Sequence, residues 1–202
     1  MLHAPESAAK PAVEETRGKI LAAARKLYAS KGSRGTTTRE VADLAGVNEA
    51  TVFRHFGTKG QLLAAMLDHY STFDELPQML ECVRSQPTVE AQLQALALAS
   101  IESMKRKEDL IKVSMAEEIA NPDGLACAWR GPSEARSTIA GFFAEKTASG
   151  QLRGDPQMLT RVFMSLFFSY VMARRIWADL NVPKERAVET MVELFLNGAR
   201  AN

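Results

Sequence analysis

The sequence predicts an all-α fold of about nine helices, and three observations lead there. Apolar residues recur at three- and four-residue intervals along most of the chain. Glycines and X-Pro pairs interrupt that period at spacings that suit helices. No stretch sustains the two-residue alternation of a half-buried strand. Of 202 residues, 46% are hydrophobic and 24% charged, so a packed core is affordable and general disorder is not expected.

Residues 1–13 hold Ala, Pro, Lys and Ser without a period and are expected to be a disordered arm. From Glu14 a stripe of Ile20, Leu21, Ala24, Leu27 and Tyr28 marks a helix that Gly32 ends. Thr36-Thr37-Thr38 offers N-caps for a short helix with Val41, Ala42, Leu44 and Ala45, stopped by Gly46. Asn48 caps another through Phe56, Gly57 breaks it, and Thr58 caps a longer one carrying Leu62, Leu63, Met66, Leu67 and Tyr70. Beyond Pro77 the stripe Val89, Leu93, Leu96, Ala97, Ile101 and Met104 gives the next helix, and 110–120 another. Asn121-Pro122-Asp123-Gly124 and Trp129-Arg130-Gly131-Pro132 are read as breaks. Residues 133–149 are helical up to Gly150, Asp155-Pro156 opens a long apolar helix to about Leu180, and Asn181-Val182-Pro183 opens the last, to about Gly198.

Charge and cysteines exclude more than they select. The net charge is +1, with ten Lys and Arg against seven Asp and Glu over residues 1–70 and fifteen against seventeen beyond. That tilt toward a basic N-terminal part is mild. Cys82 and Cys127 match no zinc or redox spacing, so neither a metal nor a cofactor is expected. Residues 1–11 lack the apolar segment of a secretory signal, and the longest apolar run, 162–173, falls short of the ~20 residues a bilayer demands. A cytoplasmic protein with no membrane partner is the expectation.

The informative stretch runs from Thr38 to Phe56, where two short helices meet at a turn containing Gly46. At 100° per residue, Val52 and Phe56 of the second helix fall together and should face inward. Ala50 and Arg54 fall opposite, flanked by Thr51 and Phe53. One cation, one aromatic, one hydroxyl and one small residue form the kind of set that reads a major groove. Arg bonds guanine O6 and N7, an aromatic meets a thymine methyl, and Ala permits close approach. The helix starts at Thr38 and Thr58, with Lys59, suit phosphate. His55 suits phosphate as well as it suits packing with a bond to backbone.

Here the chain resembles the TetR (tetracycline repressor-like) family. The resemblance rests on Gly32, Thr36-Thr37, Val41-Ala42, Ala45-Gly46-Val47-Asn48, Thr51-Val52-Phe53-Arg54-His55-Phe56-Gly57-Thr58-Lys59 and Leu62-Leu63, about 50 residues in the family's spacing. It implies that Thr38, Asn48, Ala50, Thr51, Phe53, Arg54, His55 and Lys59 face a double-stranded DNA operator, and that the protein is a homodimeric repressor on a palindromic site. Two positions depart from the pattern: Ser33 replaces an aromatic expected to pack between the first helices, and Gly60 replaces an acidic residue at the fourth helix start. The expected division is therefore an arm (1–13), a reading head (14–60) and an effector-binding and dimerisation domain (61–202).

The second part is rich in Met and aromatic side chains, which suits a small hydrophobic or amphipathic effector. Met104, Met115, Glu118, Trp129, Phe143, Phe167 and Tyr170 are the pocket candidates. By the family's pairing of its last two helices, Phe163, Leu166, Tyr170, Val188, Met191, Val192 and Phe195 are the dimer candidates. Coupling is expected to run through the helix from Lys59 toward Pro77, with Gly60 as its flex point. The competing reading, a helical adaptor or enzyme without DNA-binding activity, finds no nucleophile–base pair, paired carboxylates, phosphate loop or metal cluster in the sequence.

Overall fold

The computed structural model describes residues 9–71, 73–120, 130–176, 178 and 182–199. Among them lie ten helices and no strand: α1 (Ala9–Lys31), α2 (Thr38–Ala45), α3 (Glu49–Phe56), α4 (Lys59–Tyr70), α5 (Leu76–Arg84), α6 (Val89–Arg106), α7 (Glu108–Ala120), α8 (Arg130–Ala148), α9 (Pro156–Met172) and α10 (Lys184–Ala199). None is long and apolar enough to cross a membrane.

Most boundaries follow the caps. The Thr88 and Asp155 side chains accept from Ala91 N and Met158 N at the starts of α6 and α9. Four boundaries differ from expectation. Helix α1 begins at Ala9, so part of the expected arm is helical, and residues 1–8 lie outside the described residues. Helix α5 is separate, opened by Pro77 in its first turn and holding Leu76, Leu80 and Val83 in the core. Helix α8 takes in Arg130–Pro132, since proline is tolerated in a first turn. Helix α9 stops at Met172 rather than near Leu180, because beyond Val171 the stripe fails: Arg174, Arg175 and Ile176 are exposed.

The chain forms two compact units, and the division at residue 60 does not match them. The first holds α1–α4 and α7 from Asp109 onward. Its core joins Ile20, Leu21, Ala24 and Tyr28 of α1, Val41 and Ala42 of α2, and Val52 and Phe56 of α3. Leu62, Leu63, Met66 and Leu67 of α4 and Leu110 and Val113 of α7 complete it. Four buried side chains of α4 therefore belong with the short helices, which is why the unit extends past residue 60. Helix α7 is held there by polar bonds too. Arg25 donates to both Asp109 oxygens at 2.8 and 2.9 Å while stacking 4.9 Å from the Tyr70 ring. Burial alone would raise the Asp109 pKa, but the Arg25 fork outweighs it and the net shift is downward.

The second unit contains α5, α6, α8, α9 and α10. Helix α6 packs on α5, α9 and α10. Its centre is aromatic: Phe143, Phe163, Phe167 and Phe195 meet edge-on with centroids 4.8–5.9 Å apart. Buried Gln92 donates to the Arg84 and Gln86 carbonyls and so pins the α5–α6 connection. The exposed pair Arg84–Glu145 links α5 to α8 and is worth little in water, and the partly buried pair Lys184–Glu102 links α6 to α10.

Candidate nucleic-acid interface

Helices α2 and α3 are built by their ends. Thr37, not Thr38, is the α2 N-cap, in a capping box where Thr37 and Glu40 bond each other's backbone amides. Lys31 donates to Glu40 at 2.6 Å from the last turn of α1. That bond, then the Thr37 amide and hydroxyl, lower the Glu40 pKa to about 2. Helix α2 closes on Gly46 at φ 69°, with Gly46 N bonded to Asp43 O and Val47 N to Ala42 O. This paired cap needs a left-handed residue that any Cβ disfavours. Asn48 then accepts from Ala50 N at 2.9 Å and starts α3.

The α3 faces separate as expected. Val52 and Phe56 are buried. Ala50, Phe53 and Arg54 are exposed, Phe53 to 46% for an aromatic ring that on a free chain belongs inside. Thr51, His55 and Lys59 are half-buried beside them. Arg54, Lys59 and the neighbouring Arg39 have no ion-pair partner among the described residues, whereas Arg25 and Lys31 on α1 are paired. The outward surface of α2–α3 thus keeps its positive charge for something outside the chain. Thr58 caps α4 by accepting from Gln61 N, which leaves the Lys59 and Gly60 amides directed out of the helix start.

Three contacts were not foreseen. The Thr38 hydroxyl donates to Glu49 at 2.6 Å, tying the α2 start to the first residue of α3. Ser33, where the family pattern has an aromatic, donates to Glu117 of α7 and fastens that helix to the head. Buried Tyr28 has a hydroxyl without a partner among the described residues, and burial followed by the Glu117 charge pushes its pKa up to about 12. The third is Arg17, whose guanidinium lies 4.8 Å over the Phe56 ring. All join residues far apart in sequence, so no local period announces them.

Residues 20–66 match the family model described as bacterial regulatory proteins, tetR family, and residues 91–198 match the AefR-like transcriptional repressor C-terminal domain. The second match alone spans more than half of the chain. The chain belongs to the tetR family of bacterial regulatory proteins. This TetR-family protein is 29% identical over 190 residues to the HTH-type transcriptional regulator YvkB of Bacillus subtilis, covering 93% of this chain and 98% of that one. A TetR-family regulator from Mesorhizobium loti shares the fold with a TM-score of 0.77, 23% identity, and coverage of 94% and 98%. FadR of Bacillus subtilis, solved with stearoyl-CoA, does so with a TM-score of 0.69, 17% identity, and coverage of 89% and 97%. The TetR-family protein is therefore a helix-turn-helix, DNA-binding transcriptional regulator.

The other sequence candidates fare differently. Phe143 and Phe167 are fully buried in the aromatic core and packed on other rings, so they fill space and do not line a cavity. Met104 and Tyr170 border that core, and the Tyr170 hydroxyl donates to Val182 O. Met115 and Glu118 are exposed on α7, in the first unit. Trp129 lies outside the described residues. Among the dimer candidates, Phe163, Val188, Val192 and Phe195 are buried within one chain, because α9 and α10 pack against α6 and α8 through them. Leu166 and Met191 instead border an open groove on the outer side of α9 with Met158, Arg161, Val162, Ser165 and Ser169.

Proposed function

We propose that this regulator is a cytoplasmic homodimeric repressor that reads a palindromic operator through α3 and is released by a small hydrophobic effector. Helix α3 supports the reading most directly. It buries Val52 and Phe56 and presents Phe53, Arg54 and Ala50, with Arg54 free of any acidic partner among the described residues. In the operator complex Arg54 donates to a guanine edge, Phe53 meets a methyl, and Lys59 with the α4 start holds a phosphate. Thr38, Asn48, Thr51 and His55 border the same surface, Asn48 chiefly by holding the first turn of α3.

The dimer forms through the outer side of α9 with α10. Met158 and Val162 are 55% and 48% exposed there, one turn apart on a helix whose opposite side already fills the core, and Leu194 of α10 is 66% exposed. A second copy of the chain is its occupant, and a two-fold axis then sets two heads on two half-sites.

The effector reading draws on the FadR–stearoyl-CoA likeness and on the Met- and Phe-rich second part. Moving the balance from 99:1 for DNA to 1:99 takes about 5.5 kcal/mol of differential affinity. Helix α4 cannot carry the signal as one rod to Pro77, since it ends at Tyr70.

The test is a selection of duplexes from a random library by the purified protein, then titration against the selected and a scrambled duplex. A preference of ~10³-fold or more supports sequence-specific regulation. Equal binding to both removes it. Apolar compounds that raise the melting temperature should also weaken binding to the selected duplex; hits that stabilise without doing so would dismiss the switch.

A further inference from the structure

We infer that Arg17, on the first helix and outside the helix-turn-helix, is a phosphate-binding residue that Phe56 holds ready beside the reading helix. The inference rests on the reading that α3 enters the groove. Arg17 is half-buried, and its guanidinium carbon lies 4.8 Å from the centre of the Phe56 ring. No carboxylate or carbonyl bonds it among the described residues, although Glu14 and Glu15 stand on the same helix and Glu15 pairs with Lys19 instead. A partly exposed guanidinium with five donors and no protein acceptor keeps those donors for water or for a partner from outside. Arg25, eight residues on, shows the contrast: it also stacks on an aromatic ring, and it has its carboxylate in Asp109.

The ring explains the placement. An arginine stacked on an aromatic face keeps its N–H edges free and loses little further freedom when they bond. Phe56 is the last residue of α3, and its neighbours are the phosphate candidates His55 and Lys59, with the His55 ring 6.0 Å from that of Phe56. Arg17 therefore brings a third donor, from another helix, to the C-terminal end of the reading helix. A planar fork there suits the oxygens of one backbone phosphate. Such a contact fixes the angle of α3 and carries no base information.

The experiment uses the duplex selected from a random library by the wild-type protein and a scrambled duplex of equal composition. Arg17→Gln should weaken both by the same factor and flatten the plot of log affinity against log salt by about 0.9 per chain. One phosphate per half-site should also drop out of ethylation interference, while the melting temperature stays close to that of the wild type. Arg17→Lys should keep the salt slope yet bind both duplexes more weakly, since lysine lacks the fork. An unchanged slope in Arg17→Gln would mean that Arg17 only packs on Phe56. A changed ratio between the two duplexes in either variant would make it a base reader and also overturn the inference. If Arg17→Gln does not fold, Arg17→Lys decides: a lowered slope or altered ratio defeats the proposal. Failure of the wild-type protein to prefer its selected duplex would instead fault the reading of α3, separately from Arg17.

Discussion

Arg54 and Lys59 lie five residues apart and should fail differently when removed. Arg54 is exposed on the outer face of α3, opposite buried Val52 and Phe56, where a guanidinium meets base edges. Arg54→Ala is expected to lose about 1–3 kcal/mol on the selected operator and to relax preference at one position per half-site. Lys59, at the start of α4, meets backbone charge, so Lys59→Ala should weaken every sequence alike and lower the salt slope by about one. Competition titrations at several salt concentrations separate the two. Equal weakening of operator and scrambled duplex by Arg54→Ala would withdraw its reading role. The exposed side of α3 was legible in the sequence because a helical wheel needs only the period and the two apolar anchors, Val52 and Phe56. The Thr38–Glu49 and Arg17–Phe56 contacts were not, because each pairs side chains from different helices. Neither the period nor the caps of one helix states which residue of another will meet it.

Each helix of the head was legible from its stops and caps, and each carries its own test. Glu40 joins α2 to Lys31 and to its own N-cap, and its pKa falls from the usual 4.5 to about 2. A lowered carboxylate pKa means that the unfolded chain binds the proton first. The Glu40 contribution is thus whole above pH 4.5 and fades as pH falls toward 2. Melting curves should show Glu40→Gln below the wild type at neutral pH, with the gap closing across that window; a gap that persists at pH 2 would detach it from Glu40 ionisation. Gly60 was expected as a flex point, and a Cβ built there finds only the Thr58 hydroxyl, at 3.9 Å. Gly60→Ala should therefore fit, raise stability by up to about 1 kcal/mol, and change how strongly an effector alters DNA affinity. A fall in melting temperature would mean that the glycine serves something other than flexibility. Helix α7 was legible as a helix but not as part of the head. Arg25 and Asp109 are 84 residues apart, and the departure at Ser33, which suggested a missing core contact, turns out to supply a polar one to Glu117.

At the scale of the molecule, the dimer candidates of α9 and α10 followed from the family's pairing of its last two helices, and the structure divides the apolar residues of those helices into two sets. Phe163, Phe167, Val171, Val188, Val192 and Phe195 go to the chain's own core. Met158 and Val162 of α9 and Leu194 of α10 remain exposed. Apolar residues around most of a helix reveal that both sides are buried, but not which side goes to which neighbour; that follows from where α6 and α8 lie. The choice of variant follows from the division. Phe195→Asp would place a carboxylate among aromatic rings and unfold the chain, so loss of DNA binding there would say nothing about assembly. Val162→Asp puts the same charge on the open groove, where a folded monomer tolerates it and a two-fold seam meets it twice. Light scattering should show Val162→Asp as a monomer, with a melting temperature that no longer depends on protein concentration. The isolated head still reaches phosphates, so weak, salt-sensitive binding to any duplex should persist. Tight binding to the full palindrome should vanish, because one head offers the contacts of one half-site. A Val162→Asp protein that remains dimeric would move the seam elsewhere, and a monomer that grips the full operator as tightly as the wild type would remove dimerisation from the mechanism.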